Sequence, residues 1–402
     1  MENNLTIEQD TTQIKLALDK INHLIESNET IGDSLISGNL GLVLYYMYSY
    51  KCIGELSYLE KGRQLLENIF SNIQEDKKGA IQRKSSLSNG FVGLGNVLIL
   101  LQEEQLLDFE TDIILNQIDE LVFRQSLEQI NELNLDYLSG AIGGMYYLAQ
   151  RIPNQKAMEY LEKLVTVLIT VAIESKNGTY FINQSINKKN DTPNTINMGL
   201  AHGLCGILTV LLEIYTRNVQ TQNLNKLISD GISFLLSYEN TVDFQKEQFS
   251  YFPNSIQNDL PKFNSFIGWC YGDLNVLQLL FKASKIFNRI DWLRKANEIS
   301  NVVIHRKIDY GTMIKDPFFC HGTCSMAQMY LRLYKISHEN YFKEAYDYWI
   351  NQTIEYLEGK REYQILSPQM NNGLLYGYLG IGLVLLSKLY NETLSWDRLF
   401  LM

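Results

Sequence analysis

The stretch AHGLCGILTVLLEIY at 201–215 decides the fold, because it joins a Gly-x-x-Gly turn directly to an apolar helical run. The same signature, a glycine followed three residues later by a small residue, occurs seven times, with leading glycines 50 to 69 residues apart. A fixed motif at such intervals is typical of a repeat architecture. The seven copies are SGNLG (37–41), NGFVG (89–93), SGAIG (139–143), HGLCG (202–206), YGDLN (271–275), HGTCS (321–325) and YGYLG (376–380).

Each copy opens an apolar run, such as 276–283, and most intervening stretches carry a second helix with a 3.6-residue period, such as Ala157–Ile173. Each repeat is therefore predicted to be a helical hairpin. Glycine in a helix costs up to about 1 kcal/mol against alanine, so seven such glycines need a reason. Close approach of another backbone to crowded inner helices would supply it.

The two ends of the chain favour a closed ring. An open solenoid usually has atypical polar caps, whereas the signatures at Gly38 and Gly377 keep both the spacing and the apolar run. We predict an all-α fold, an α/α toroid of seven helical hairpins with seven inner and seven outer helices. A single domain is expected over 1–402, with insertions near 177–198 and 241–265. Long insertions are usually functional or disordered, and both interpretations stay open.

Composition limits the functional classes. The net charge of −10 argues against nucleic acid as the main partner and permits a basic peptide. The polar residues 1–10 lack the apolar core of a signal peptide, and no uncharged apolar run reaches membrane-spanning length, so a cytosolic protein is expected. Five cysteines do not resemble a disulfide framework, and burial, metal binding or catalysis suits them better.

Residues that could bind a metal or transfer a proton lie just before several of the repeat glycines. Because equivalent positions in a closed ring lie at the same end of the inner helices, these residues should converge on one mouth of the central cavity. Two cysteines, two histidines and two tyrosines at such positions are hard to ascribe to packing. The preceding residues are Ser37, Asn89, Ser139, His202, Tyr271, His321 and Tyr376, with Cys270 and Cys320 one position earlier in repeats five and six.

A metal is the natural interpretation of Cys270, Cys320 and His321. Zinc takes thiolate sulfur and imidazole nitrogen, and its catalytic sites combine three protein ligands with one open position. A thiol arriving at such a site would bind deprotonated. It should stay nucleophilic, because a site rich in sulfur ligands withdraws less charge from the thiolate than a three-histidine site would. The alternative is a pair of buried structural cysteines, since free cysteine is among the most buried residue types.

Three further residues are candidates for catalysis at the same mouth. His202 could move a proton near neutral pH. Asp136, four residues before Gly140, could orient His202 or carry a proton itself, and Tyr271 could donate a hydrogen bond. The structural alternatives are a carboxylate at a helix N-terminus for Asp136 and a half-buried aromatic for Tyr271.

Three motifs together resemble the lanthionine synthetase C-like family, the cyclases of lanthipeptide biosynthesis. They are NMGLAHGLCG (197–206), GWCYG (268–272) and CHG (320–322), and the resemblance covers essentially the whole chain. It implies an α/α toroid whose zinc ion is held by the cysteine of the second motif and by the cysteine and histidine of the third.

The resemblance also assigns roles to single residues. Zinc would be held by Cys270, Cys320 and His321. The catalytic histidine would be His202, and Asp136 and Tyr271 match the family's aspartate and tyrosine. Such cyclases often carry an arginine four residues before the second motif's cysteine. This chain has Phe266 there, so enolate stabilisation by arginine is in question, with Lys262 a possible substitute.

The reaction that the resemblance implies is addition of a peptide cysteine thiolate to dehydroalanine or dehydrobutyrine, giving lanthionine or methyllanthionine rings. The expected partners are the dehydrated precursor peptide, a separate dehydratase and an ABC transporter, with the protein in the cytoplasm or at the inner membrane face. A second class stays open, a zinc and thiol-peptide binding protein of the same fold that closes no ring. A carboxylate-dependent glycosidase or terpene cyclase is disfavoured, because the signatures offer Asp136 and Asp273 and little else.

Overall fold

The computed structural model of the chain describes residues 2–190, 192, 194–364, 371–390 and 393–402, with side chains from residue 11 onwards. Its long helices form two layers. The inner helices are α2 (Asn39–Ile53), α4 (Phe91–Glu103), α6 (Ala141–Gln150), α9 (Leu204–Thr216), α11 (Asp273–Phe287), α13 (Thr323–Ser337) and α15 (Tyr378–Leu389). The outer helices are α1 (Glu2–Glu26), α3 (Leu56–Gln74), α5 (Asp112–Asn131), α7 (Gln155–Thr170), α10 (Thr221–Leu236), α12 (Ile290–Val303) and α14 (Asn340–Leu357).

The inner helices form a closed ring. Each one contacts the next, and α15 contacts α2, so the last repeat meets the first. The outer helix beside α15 is α1, which comes from the opposite end of the sequence. The predicted all-α toroid of seven inner and seven outer helices is therefore confirmed, with one pair assembled from the two ends of the chain.

Burial separates the two layers. Every residue of α9 from Leu204 to Leu212 is buried, as expected for a helix surrounded by other elements. The outer α10 buries one stripe, which includes Leu224, Ile228 and Leu235. Each such leucine or isoleucine contributes about 1.5–3 kcal/mol when fully buried.

The signature glycines have a steric cause that differs in detail from the prediction. A Cβ on Gly206 would lie 1.9 Å from the carbonyl oxygen of Leu200, and a Cβ on Gly93 would lie 2.3 Å from that of Leu87. Another backbone does come close, as predicted, but it is the incoming loop of the same repeat rather than a neighbouring inner helix. The glycines therefore fix the loop that carries the residues before each turn.

The two long insertions form short strands and join each other. Helix α7 ends at Thr170, three residues before the predicted end, because β1 (Ile173–Ser175) pairs there with β2 (Gly178–Tyr180). A short helix, α8 (Gln184–Lys189), follows. A three-stranded antiparallel sheet then links the insertions, with its strands in the order β3 (Ile196–Asn197), β4 (Ser255–Gln257) and β5 (Leu260–Lys262).

A buried ion pair holds the second insertion to α11. Arg306 lies 3.0 Å from Asp273, and both side chains are fully buried. The Asp273 carboxylate also accepts hydrogen bonds from the backbone amides of Tyr251 and Phe252, and Arg306 donates to the carbonyl of Ser265. Asp273 is therefore committed to structure, and its carboxylate is not free for acid–base chemistry.

Replacing Asp273 with asparagine should lower the free energy of unfolding by about 3–5 kcal/mol, because it leaves the Arg306 guanidinium buried without its counter-ion. Denaturant unfolding would measure the change. The matched control is Asp291→Asn, since Asp291 pairs with Arg289 at the surface, with 58% and 44% of the side chains exposed, and should change stability by about 1 kcal/mol or less. Equal effects of the two substitutions would contradict the structural role of Asp273.

The segment 396–402, which we call the axial plug, occupies the middle of the ring. Its hydrogen-bond and ion-pair partners include side chains of five inner helices, among them Glu103 of α4, which pairs with Arg398. Tyr146 of α6 donates to the carbonyl of Arg398, and Gln278 of α11 donates to that of Leu401, each at 2.8 Å. Further contacts are the ion pair of Arg332 of α13 with Asp397 and the hydrogen bond from Trp396 to Ser387 of α15.

Candidate metal centre

The loops before the inner helices are joined to one another around the mouth of the ring by backbone hydrogen bonds. The junction between repeats five and six is the place where the side chains of Cys270 and Cys320 meet. The other six junctions are bridged by Leu35 N to Ser88 O, Ser88 N to Leu138 O, Tyr137 N to Ala201 O, Leu200 N to Cys270 O, Cys320 N to Leu375 O and Leu374 N to Ile36 O.

The structure brings together the three residues that the sequence predicts as metal ligands. The Sγ atoms of Cys270 and Cys320 lie 3.0 Å apart, farther than the ~2.05 Å of a disulfide bond. These two atoms and a ring nitrogen of His321 all lie within 4.8 Å of one another. Two sulfurs and one imidazole are donor types that zinc accepts, so the residues fit this metal.

Hydrogen bonds make the two cysteines of the cluster differ in pKa. Burial by itself raises the pKa of Cys320, but hydrogen bonds from Cys270 and His321 outweigh it and lower the pKa to about 5. Burial and the adjacent Cys320 sulfur raise the pKa of Cys270. Burial lowers the pKa of His321, yet its hydrogen bond to the Cys320 sulfur raises the pKa above its usual value. The centre therefore already favours a thiolate at Cys320.

Tyr376 is a contact to this centre to which the sequence analysis assigned no role. Its hydroxyl lies 3.2 Å from the Sγ atom of Cys320, and its ring packs 5.6 Å from that of His321. Burial raises the pKa of Tyr376, so the hydroxyl keeps its proton and can donate to a thiolate. The signal was available in the sequence, since Tyr376 occupies the same position before its glycine as His321 does.

Replacing Tyr376 with phenylalanine should shift the alkylation of Cys320 to higher pH. A hydrogen bond to a charged group contributes about 1.5–3 kcal/mol, and its loss removes one stabilising partner of the thiolate. The rate of iodoacetamide reaction at Cys320 in metal-free protein, followed by peptide mass spectrometry across a pH series, measures the change. Tyr363→Phe is the matched control, because it removes the same hydroxyl from a ring that packs against Phe318 and Tyr356. An unchanged profile for Tyr376→Phe would show that its hydroxyl does not stabilise the thiolate.

His202 and Asp136 form a second cluster at the mouth. His202 Nδ1 lies 2.5 Å from Oδ2 of Asp136, with 27% of the histidine side chain and 1% of the aspartate side chain exposed. The other carboxylate oxygen accepts hydrogen bonds from the backbone amide and hydroxyl of Ser139. Burial lowers the pKa of His202, but Asp136 outweighs it and the pKa is raised. Asp136 thus fixes the imidazole and leaves Nε2 as the available nitrogen.

Tyr271 faces the sheet formed by the insertions. Its hydroxyl accepts a hydrogen bond from the side-chain amide of Asn197 at 2.9 Å, and Asn197 belongs to β3. A Cβ on Gly199 would lie 2.6 Å from the Tyr271 ring, so the loop passes directly over it. Burial raises the pKa of Tyr271, with smaller contributions from Cys270 and Asp136. Asn197 is a second neighbour of the centre to which the sequence analysis gave no role.

An aromatic ring occupies the place where the family often carries arginine. The Phe266 ring meets the His321 ring edge-on, with centroids 4.9 Å apart, and lies 6.2 Å from the Tyr271 ring. Phe266 therefore supplies an apolar wall for the imidazole and no positive charge. The suggested substitute, Lys262, is an exposed residue of the edge strand β5.

The remaining cysteines lie away from the centre in environments that disfavour thiolates. Cys205 and Cys324 are buried in α9 and α13, and burial raises the pKa of both thiols. Burial raises the pKa of the partly buried Cys52 to about 12. Such environments suit packing roles for all three.

Comparison with known proteins defines the class. The sequence model of the lanthionine synthetase C-like proteins matches residues 29–401. The chain belongs to this family, which confirms the resemblance deduced from the three motifs. The family also confirms the prediction that the protein is an enzyme of the lanthionine synthetase type.

Particular relatives share nearly the full length of the chain. It is 23% identical to the nisin biosynthesis protein NisC of Lactococcus lactis subsp. lactis over 427 aligned positions, which cover 99% of this chain and 96% of that protein. The solved structure of nisin cyclase matches with a TM-score of 0.72 at 21% identity, covering 98% of this chain and 97% of that one. At this identity the structural match supports the toroidal fold.

Among the described residues, the structure contains no helix that is both long enough and apolar enough to cross a membrane.

Proposed function

We propose that this protein is a zinc-dependent lanthipeptide cyclase, which adds peptide cysteine thiols to dehydroalanine or dehydrobutyrine and forms lanthionine or methyllanthionine rings. The observation that carries the proposal is the convergence of Cys270, Cys320 and His321 within 4.8 Å in a chain of the lanthionine synthetase C-like family. The name of the relative NisC, a nisin biosynthesis protein, supports a peptide substrate of the same class.

The cysteines and His321 would hold the metal. Zinc, when bound, supplies a lowered thiol pKa, so that a peptide cysteine is nucleophilic at neutral pH. Tyr376 can donate a hydrogen bond to the Cys320 sulfur and so limit the negative charge that collects on the ligands. Phe266 packs edge-on against the His321 ring and gives that side of the imidazole an apolar neighbour.

His202 would move the proton. The thiol loses its proton, the sulfur bonds to the β-carbon, and the α-carbon gains a proton, so addition changes no atom count. With Nδ1 of His202 held by Asp136, Nε2 is free to take the thiol proton or to give a proton to the enolate. Such acid–base help typically contributes about 10²–10⁴-fold. Tyr271 would position the peptide or stabilise the enolate by a hydrogen bond from its hydroxyl.

The remaining expectations belong to the same proposal. The substrate would reach this protein already dehydrated, so a separate dehydratase must act before it, and an exporter would act afterwards. This sequence of reactions would place the protein in the cytoplasm or at the inner membrane face.

Thiol counting on a dehydrated peptide tests the proposal. Thioether formation leaves the peptide mass unchanged and removes one alkylatable thiol per ring, so iodoacetamide adducts should disappear at constant parent mass. The control is the same peptide with intact serine and threonine, which should keep all its thiols. If zinc-loaded protein bound the dehydrated peptide and every thiol remained reactive, the alternative of a zinc and thiol-peptide binding protein would replace the cyclase.

A further inference from the structure

The two turns that carry the candidate metal cysteines rest on one residue of the axial plug. Trp269 directly precedes Cys270, and Phe319 directly precedes Cys320. The ring of Phe400 lies 5.3 Å from that of Trp269 in an edge-to-face arrangement. It also lies 4.7 Å from the ring of Phe319. The residue at 400 thus touches both sides of the junction between repeats five and six.

A polar contact fixes the same arrangement. The indole Nε1 of Trp269 donates a hydrogen bond to the backbone carbonyl of Phe400 at 2.8 Å. Trp269, Phe319 and Phe400 are all at most 1% exposed, so these rings have little freedom to move independently. Neighbouring Trp396 also packs on Phe319, at 5.4 Å. Among the described residues, Phe400 is thus the plug residue whose ring contacts both Trp269 and Phe319.

We propose that Phe400 is a positioning residue for the metal centre, which sets the separation of Cys270 and Cys320 through Trp269 and Phe319. The inference rests on the proposed function, because the centre must bind metal for that separation to matter to affinity. Ligand atoms must be held within about 0.5 Å of a productive geometry, and the two cysteines come from different repeats. A buried phenylalanine ring that packs beneath both turns meets this requirement without touching the metal.

The test compares Phe400→Leu with Phe342→Leu. Phe342 is equally buried and packs against Phe281 and Tyr330, away from both cysteine turns, so the two variants lose the same atoms from the core. Phe400→Leu should weaken zinc binding about tenfold or more, in the range for residues that support metal ligands, as measured by competition with a chromogenic chelator. Phe342→Leu should keep affinity within about twofold of the wild type.

A second readout separates this inference from the proposed function. In metal-free protein, Phe400→Leu should change the iodoacetamide reaction rates of Cys270 and Cys320, mapped by peptide mass spectrometry, while Phe342→Leu should not. Equal zinc affinities of the two variants would overturn the positioning role. If the wild type bound no zinc, the proposed function would fail, and the alkylation rates alone would decide the inference, with equal rates rejecting it.

Trp269→Phe provides a variant with an independent chemical change. It keeps an aromatic ring on Phe400 but loses the N–H that donates to the Phe400 carbonyl. If Phe400→Leu does not fold, the same comparison is made with Trp269→Phe. Weakened zinc binding in that variant supports the role of the plug, and wild-type affinity contradicts it.

Discussion

Replacing Cys320 with alanine should abolish both zinc binding and ring formation, which is the largest effect expected of any single substitution in this protein. Wild-type protein should carry about one zinc ion per chain, as an open three-ligand site requires. Elemental analysis of Cys320→Ala should find almost none, and thioether formation should fall to the uncatalysed rate. Cys270→Ala and His321→Ala should behave in the same way.

Cys324→Ala is the matched control for this result. Cys324 lies four residues later, in the first turn of α13, and is fully buried against Thr353. The Cys324→Ala protein should lose some stability but keep its zinc and its activity, since this thiol packs against Thr353 and is not one of the three clustered side chains. A Cys320→Ala protein that retained zinc and activity would exclude these residues as the metal centre. Loss of zinc in Cys324→Ala as well would point to general unfolding.

Replacing His202 with alanine should lower the rate of thioether formation by about 10²–10⁴-fold while leaving the zinc content unchanged. The reason is that the substitution removes the proposed proton carrier and none of the three proposed metal ligands. Single-turnover assays with a dehydrated peptide, together with elemental analysis, measure both quantities. His305→Ala, at an exposed histidine, should match the wild type. A His202→Ala enzyme with wild-type rate would assign the proton to another group.

The pH dependence should report the His202–Asp136 pair. Because Asp136 raises the pKa of His202, the protonated imidazole persists to higher pH than in a free histidine. If protonated His202 delivers the proton in the rate-limiting step, activity falls as the pH rises through that raised pKa. Asp136→Asn should then move the fall to lower pH. A fall in activity toward low pH, moved by the same substitution, would instead identify His202 as the base.

The ring and the clustering of Cys270, Cys320 and His321 could be predicted because each depends on a local pattern that repeats. The glycine before an inner helix is required by its own incoming loop, as the contact of Gly203 with the carbonyl oxygen of Asn197 shows. Once the repeats are aligned, equivalent residues must lie at the same end of the ring. The same alignment contained Tyr376, but a tyrosine has many ordinary packing roles, and only its 3.2 Å approach to Cys320 distinguishes it.

Other features depend on long-range contacts that leave no periodic signal. The sheet pairs Ile196 with Ile256, one from each insertion, and nothing in either segment alone specifies the other. Asn197 reaches Tyr271 only because that sheet forms. The axial plug lacks the glycine signature, so Phe400 could not be linked to Trp269 by alignment. Such contacts depend on the shape of the space inside the completed ring, which no single segment of the sequence specifies.

The pairing of α1 with α15 has a consequence for how the chain acquires its structure. These helices lie at opposite ends of the sequence, so their contact closes a loop of almost the whole chain and must form late. During synthesis, α2 emerges long before α15 can cover it, and its apolar surface stays open to solvent in the meantime. Nascent chains of this protein are therefore candidates for aggregation or chaperone capture until the last repeat is made.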